Sequence, residues 1–176
     1  MDPAANVAQM ATRQGIQTWT EFFDEALAER VRAMFGSADV ILGANVICHL
    51  PNLRSVLAGI RLLLKETGIF VFEEPYLPEI IRNTAYDQIY DEHIFYFSAT
   101  SLQNALNRHG LEIVDLIPQD VHGGSMRYVT GLTGSNVVAP VVEATLHQER
   151  ALGLSSYKTY QEFRGVSNLP AMGYAR

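Results

Sequence analysis

Apolar residues change period along this chain, and the change outlines its framework. Residues 38–44, Ala-Asp-Val-Ile-Leu-Gly-Ala, form a near-continuous apolar run, the pattern of a strand covered on both faces. Leu53, Val56, Leu57, Ile60, Leu63 and Leu64 then recur at helical spacing, with Asn52 placed as N-cap and Thr67-Gly68 as the stop. Residues 68–75, carrying Ile69, Phe70, Val71 and Phe72, read as a second buried strand. Strand, helix and strand at this spacing predict a right-handed βαβ unit of parallel sheet. Such sheets bind ligands beyond the carboxyl ends of their strands, which fall at residues 45–49 and 73–76.

On the N-terminal side, residues 2–6 lead into a helix whose Val7, Met10 and Ala11 share one side and which Gly15 closes. Residues 16–19 follow as a short strand, and Phe22 and Phe23 open a helix running to Ala33. Beyond the βαβ unit, Ser98 or Thr100 caps a helix over residues 101–108, ended by His109-Gly110. Residues 111–116 and 125–132, separated by a loop containing Gly123-Gly124, pair as an antiparallel hairpin at one sheet edge. Residues 141–154 read as a helix with a loose apolar face of Val142, Thr145, Leu146 and Ala151. From Ser155 the pattern weakens, and the chain reaches Arg176 without a recognisable closing element. The fold class is therefore α/β, mostly parallel, with an antiparallel edge hairpin and a C-terminal helix.

Composition narrows the function. At 176 residues, 48% hydrophobic and 18% charged, the chain has the size and balance of one soluble globular domain. A net charge of −6 with no Lys/Arg cluster lacks the electrostatic footprint of a nucleic-acid binder. Its apolar runs are too short to span a bilayer and its first residues are not a secretory leader, so no membrane role and a cytoplasmic setting are expected. The single cysteine, Cys48, excludes an internal disulfide and a Cys-rich zinc site within these residues, and reads as a small buried hydrophobe at a strand end.

Candidate chemistry concentrates in residues 86–98, Tyr-Asp-Gln-Ile-Tyr-Asp-Glu-His-Ile-Phe-Tyr-Phe-Ser. A core rarely accepts Asp87, Asp91, Glu92 and His93 so close together, and an exposed loop rarely carries so many aromatic rings. A pocket wall meets both conditions; a surface loop pinned by its aromatics, with the acids in water, is the alternative.

Several motifs in order add to this: Asp2-Pro3-Ala4, Ala38-Asp39-Val40-Ile41, Asn45-Val46-x-x-His49-Leu50-Pro51 and Glu74-Pro75-Tyr76-Leu77. Tyr86-Asp87-x-Ile89-Tyr90-Asp91-Glu92-His93, Tyr96-Phe97-Ser98, His109-Gly110-Leu111 and His122-Gly123-Gly124-Ser125-x-Arg127 complete the set. Together they resemble the S-adenosylmethionine-dependent sugar C-methyltransferases, which methylate a carbon of a nucleotide-linked keto-deoxysugar. The resemblance runs from Asp2 to about Leu132 and more loosely through the tail. It implies a partial Rossmann-like class I methyltransferase sheet, with S-adenosylmethionine as cofactor and a nucleotide-linked keto-sugar as small-molecule partner. Carried over by position, Asp2 would hold the cofactor ribose and Asn45 would lie beside its methionine part. His49, Tyr90, Glu92 and His93 match the family's active-site side chains, with His93 the base and Glu92 its support. Such a reaction needs a base of near-neutral pKa and a donor facing an enolate oxygen, which His93, His49 and Tyr90 supply.

The family also has an N-terminal module with four zinc-binding cysteines, a first strand with a Gly-rich turn, and a second α/β unit after the first. None of these is found in this sequence, so zinc is expected only in that absent module and the chain reads as the middle of a longer protein. Residues 1–135 would be a partial methyltransferase domain and residues 136–176 the start of a truncated C-terminal region. Without the first strands, Val40 to Leu42 would lack a neighbour and leave a sheet edge open to self-association. Two rival readings remain at this point: a metal hydrolase built from His49, Glu92, His93 and His122, and a non-catalytic methyltransferase fold that binds sugar nucleotide weakly or packs on a partner.

Overall fold

A computed structural model describes residues 1–167. Its centre is a four-stranded sheet in the order β1-β2-β4-β3, made of β1 (Ala38–Ala44), β2 (Leu64–Pro75), β3 (Leu111–Gln119) and β4 (Ser125–Leu132). β1 and β2 pair in parallel, while β2–β4 and β3–β4 are antiparallel. The described sheet is thus mixed rather than mostly parallel, because the β3–β4 hairpin inserts its second strand directly against β2.

The connection between β1 and β2 is α3 (Leu53–Leu63), and its caps follow local chemistry. The Asn52 side chain accepts from Ser55 N–H at 3.2 Å, and Val56, Leu57, Ile60 and Leu63 are buried on one stripe. β2 starts four residues earlier than the spacing predicts. Ala38 pairs with Leu64 and Val40 with Ile69, so residues 65–68 bulge between two ladder contacts. Gly68 sits inside that bulge, where a Cβ would lie 2.8 Å from the Ala38 carbonyl. Along β2, Phe70, Phe72 and Glu74 share the buried face, whereas Ile69, Val71 and Glu73 are half-buried.

β1 is not covered on both faces as its apolar run suggests. It is an edge strand, with Val40 51% and Leu42 76% exposed. Apolar composition reports what a strand can bury, and its neighbours decide what it does bury.

α1 (Ala5–Arg13) and α2 (Glu25–Phe35) precede β1. The side of α1 expected to pack does not: Val7 and Met10 are exposed and Ala8 is the buried residue. Residues 16–19 are not a strand, having no ladder partner among the described residues; Trp19 accepts one hydrogen bond from Asp2 N–H at 3.0 Å. α2 opens at Glu25, where the Asp24 carboxylate accepts from Leu27 N–H at 2.8 Å.

After β2 come the short α4 (Leu77–Arg82) and α5 (Ala99–Asn107), the latter opened by a reciprocal Ser98–Ser101 capping box. α6 (Pro140–Ala151) packs against α5 and β3. Its inner face carries Val142, Thr145, the partly buried Leu146 and Glu149, while the expected Ala151 is exposed. The region past Ser155, which shows no clear pattern in sequence, forms α7 (Tyr157–Ser167). The open end expected at residues 174–176 lies outside the described residues. One contiguous core joins α3, β2, α5, β3 and β4 and includes Val142 of α6.

Candidate active site

At the carboxyl end of β1 the chain turns sharply. Asn45 adopts φ 49°, a left-handed conformation that Asn tolerates better than most residues, and its N–H donates to Glu73 O at 2.8 Å. A 3-10 turn, Ile47–His49, follows directly. Its free N-terminal amides are collected by one buried carboxylate. Glu74 Oε1 accepts from the N–H groups of Val46 (3.1 Å), Ile47 (2.6 Å) and Cys48 (3.2 Å). The Cys48 carbonyl accepts in turn from Ile94 N–H at 2.9 Å and Phe95 N–H at 3.3 Å. The turn is thereby joined to the far end of the aromatic stretch.

That stretch begins with a 3-10 turn, Tyr86–Gln88, and continues as irregular chain to Phe97. Asp87, Asp91 and Glu92 are exposed to solvent, and so are Tyr86, Ile89, Tyr90 and Ile94. His93 is different: it is half-buried and surrounded by rings. Tyr90 and His49 each lie 4.9 Å from it between centroids, edge to face, and Tyr96 lies at 5.6 Å. The Tyr96 hydroxyl accepts from Tyr90 N–H (3.0 Å) and donates to Tyr90 O (3.3 Å), closing the loop around the imidazole. The stretch follows the surface-loop alternative: aromatics pin the loop and its acids face water, and one side of it pairs His93 with His49.

His49 Nδ1 lies 2.8 Å from Glu92 O. A carbonyl only accepts, so Nδ1 carries the proton and Nε2 is left for chemistry. His93 is shifted below the ordinary histidine range, first by burial and next by the nearby His49 charge; Glu74 and then Glu92 oppose this, and His122 adds to it. Burial also raises the Tyr96 phenol. Burial and the neighbouring imidazole both disfavour the protonated form of His93.

The sequence-predicted site residues separate into two groups. His49, Tyr90 and His93 meet in one cluster, with Glu92 contributing its carbonyl to His49. Asn45 lies four residues before His49 at the β1 end, exposed. Asp2 is further off in the chain: its carboxylate Oδ1 accepts from Ala4 N–H at 2.8 Å, ahead of α1. Between these points runs an apolar groove of about 450 Å³, lined by Pro3, Phe22, Val40, Leu42, Val46 and His49 among others. Residues flanking Asp2 and Asn45 contribute to it, although those two side chains do not line it.

Sequence reasoning missed two buried carboxylates. Glu74 is in phase with Phe70 and Phe72 on an inward-facing strand position, and Glu149 is in phase with Val142 and Thr145 on the inner face of α6. An acid at a core-phased position is the signal that marks each one.

Cys48, His49 and His93 also offer ligand atoms within 4.8 Å of one another, the one such group among the described residues. Burial, then a hydrogen bond to Glu74 and its negative charge, push the Cys48 thiol up. The donor set suits proton handling, and it differs from the sequence-level alternative that grouped His49, Glu92, His93 and His122.

A parallel β1–α3–β2 unit with a histidine pair and a groove at its strand ends defines a class, and comparison with known proteins identifies it. Residues 1–116 match the family model described as a methyltransferase domain, and residues 120–168 match a C-methyltransferase C-terminal domain. The chain belongs to the methyltransferase-domain family. It is 36% identical over 164 residues to C-methyltransferase NovU of Streptomyces niveus, covering 93% of this chain and 39% of that protein. The chain thus spans about two fifths of the length of this curated relative. Among solved structures, a SAM-dependent methyltransferase of Thermotoga maritima, described as a possible histamine N-methyltransferase, superposes with a TM-score of 0.50. It is 16% identical and the match covers 73% of this chain and 70% of that one, which supports the α/β methyltransferase fold. No helix among the described residues is long and apolar enough to cross a membrane.

Proposed function

We propose that this chain carries the proton-transfer centre of an S-adenosylmethionine-dependent C-methyltransferase acting next to a ketone of a nucleotide-linked deoxysugar. The observation that carries it is the His49–His93 pair, 4.9 Å apart at the strand ends, with one ring kept neutral by burial. Carbon methylation needs a base able to remove a proton beside a carbonyl and a donor able to hold the resulting enolate oxygen. His93, neutral, takes the proton of the substrate carbon as that C–H bond breaks. Tyr90 donates to the enolate oxygen, and His49, its Nδ1–H held on Glu92 O, presents Nε2 beside His93. The surrounding rings exclude water on one side of His93.

The apolar groove beside β1 fits a cofactor with a flat heterocycle: Val40, Leu42 and Phe22 offer apolar walls, and His49 also lines it. S-adenosylmethionine, when bound, supplies the electrophilic methyl that the enolate carbon takes. Asn45 and Asp2, each next in sequence to residues that line this groove, are assigned its methionine and ribose parts. We assign residues 1–135 to the methyltransferase unit and residues 136–176 to a C-terminal region. The exposed edge of β1 is a surface for self-association.

The test separates proton abstraction from methyl transfer. Keto-deoxysugar nucleotide incubated with the chain in deuterium oxide, with S-adenosylhomocysteine present, exchanges the proton next to the ketone, and the His93→Ala variant does not. With S-adenosylmethionine instead, the sugar gains one methyl by mass. Absence of both exchange and methylation in the folded chain refutes the proposal.

A further inference from the structure

Glu74 is fully buried on the β2 face that carries Phe70 and Phe72, a place where an uncompensated carboxylate is not stable. Its compensation is one-sided. Oε1 accepts from three consecutive backbone N–H groups, while Oε2 has no hydrogen-bond partner among the described residues. A glutamate kept only for packing would be better replaced by an apolar residue of similar size. The three amides belong to the turn that delivers His49. The same turn, through the Cys48 carbonyl, holds the amides of Ile94 and Phe95, the residues immediately after His93. Cys48 is fixed on both sides of its backbone, by Glu74 at its N–H and by the aromatic stretch at its C=O.

We propose that Glu74 is the positioning residue of the histidine pair: it fixes the turn that aims His49 and, through the Cys48 backbone, ties that turn to the segment that carries His93. The proposal rests on the methyl-transfer function given above. It also reassigns a role, since the support expected from Glu92 comes first from Glu74. Glu92 has an exposed side chain and serves His49 through its carbonyl. The charged groups facing His93 are His49 from the 3-10 turn, Glu74 from β2, Glu92 from its own segment and His122 from the β3–β4 tip. Of the two acids, Glu74 opposes the downward shift of His93 more strongly. A carboxylate behind a general base favours its protonated form once the proton has been taken, and so keeps a buried imidazole basic enough to act.

The experiment follows the imidazole signals of the whole chain by NMR through a pH titration, comparing wild type, Glu74→Gln and Glu92→Gln, with His49→Gln and His93→Gln used for assignment. Removing the Glu74 charge lowers the His93 titration midpoint, by more than Glu92→Gln does, and displaces the His49 signals. An unchanged His93 midpoint in Glu74→Gln, or a larger effect of Glu92→Gln, overturns the proposal. In methyl transfer, Glu74→Gln lowers kcat about 10- to 100-fold with KM altered only a few-fold, the size expected when a catalytic group is misplaced by a fraction of its working geometry. Its acid limb also moves to lower pH, which a merely structural loss would not produce. Wild-type protein that gives the NMR differences without turnover fails the methyl-transfer function and leaves the Glu74 placement standing. If Glu74→Gln does not fold, amide exchange in the wild-type chain decides. Val46, Ile47 and Cys48 N–H protected like the β2 ladder support the placement, and exchange at the rate of an open loop overturns it.

Discussion

Replacing Glu149 by alanine tests the joint between the two segments that the family models divide. Glu149 lies on α6, in the C-methyltransferase C-terminal segment, and its three donors lie in the methyltransferase domain. Tyr76 OH donates to Oε1 at 2.6 Å, Ala99 N–H to the same oxygen at 2.7 Å, and Thr100 N–H to Oε2 at 2.7 Å. The carboxylate is 1% exposed and sits at the N-terminus of α5, where the helix dipole favours negative charge. Burial, then the hydrogen bond to Glu149 and its charge, push the Tyr76 phenol up. Hydrogen bonds to a charged group contribute about 1.5–3 kcal/mol each, and truncation leaves buried donors unpaired. The contributions are not additive, and water entering beside α6 recovers part of them, so Glu149→Ala is expected to cost about 3–5 kcal/mol. For a chain of this size that lowers Tm by about 10 °C. Urea unfolding followed by circular dichroism measures the loss. Tyr76→Phe removes one donor and costs about 1.5–3 kcal/mol, and the double variant shows a coupling of about 1–2 kcal/mol. A Glu149→Ala loss below 1 kcal/mol, or zero coupling to Tyr76, would show that α6 is held by its apolar residues alone and refute the reasoning.

His93→Ala lowers methyl transfer about 100- to 10,000-fold while S-adenosylhomocysteine still binds by calorimetry; loss of binding with equal loss of rate would place His93 in the cofactor site instead. Because burial lowers His93, the acid limb of kcat/KM falls below the ordinary histidine value of 6.5, and a limb above that value contradicts the environment described. The same shift sets a stability trend: unfolded chain takes up the proton first, so unfolding free energy declines as pH drops through 6.5 and levels off below the depressed folded value, a trend that His93→Gln removes. Leu42→Lys on the open edge of β1 changes stability by no more than about 0.5 kcal/mol but reduces self-association in sedimentation velocity, and an unchanged association constant would move the contact off this edge.

What could be read in the sequence was local. α3 and α5 are announced by Asn52 and Ser98, whose side chains close the first turns within three residues, and β4 follows a glycine pair whose positive φ values of 74° and 119° no other residue adopts comfortably. The misread elements depend on partners distant in sequence. Residues 16–19 have strand-like composition and no strand beside them, β1 has a buried-strand composition on an exposed edge, and β2 gains its first residues from a bulge facing Ala38. The site divides in the same way. Of the residues proposed to handle protons, Tyr90 and His93 stand in a dense motif legible as chemistry, whereas His49 and the buried acids are scattered. Glu74 lies 26 to 28 positions from the amides it holds, and Glu149 lies 49 and 50 positions from those it caps. Each is a single charge on an otherwise apolar face, and its phase is the trace it leaves in sequence. A buried acid at a core-phased position is unstable unless the fold brings donors to it, so its presence requires such donors before their location is known. For Glu74 those donors are the turn of His49, which makes the acid on the strand and the histidine on the turn parts of one unit whose separation in sequence hides it.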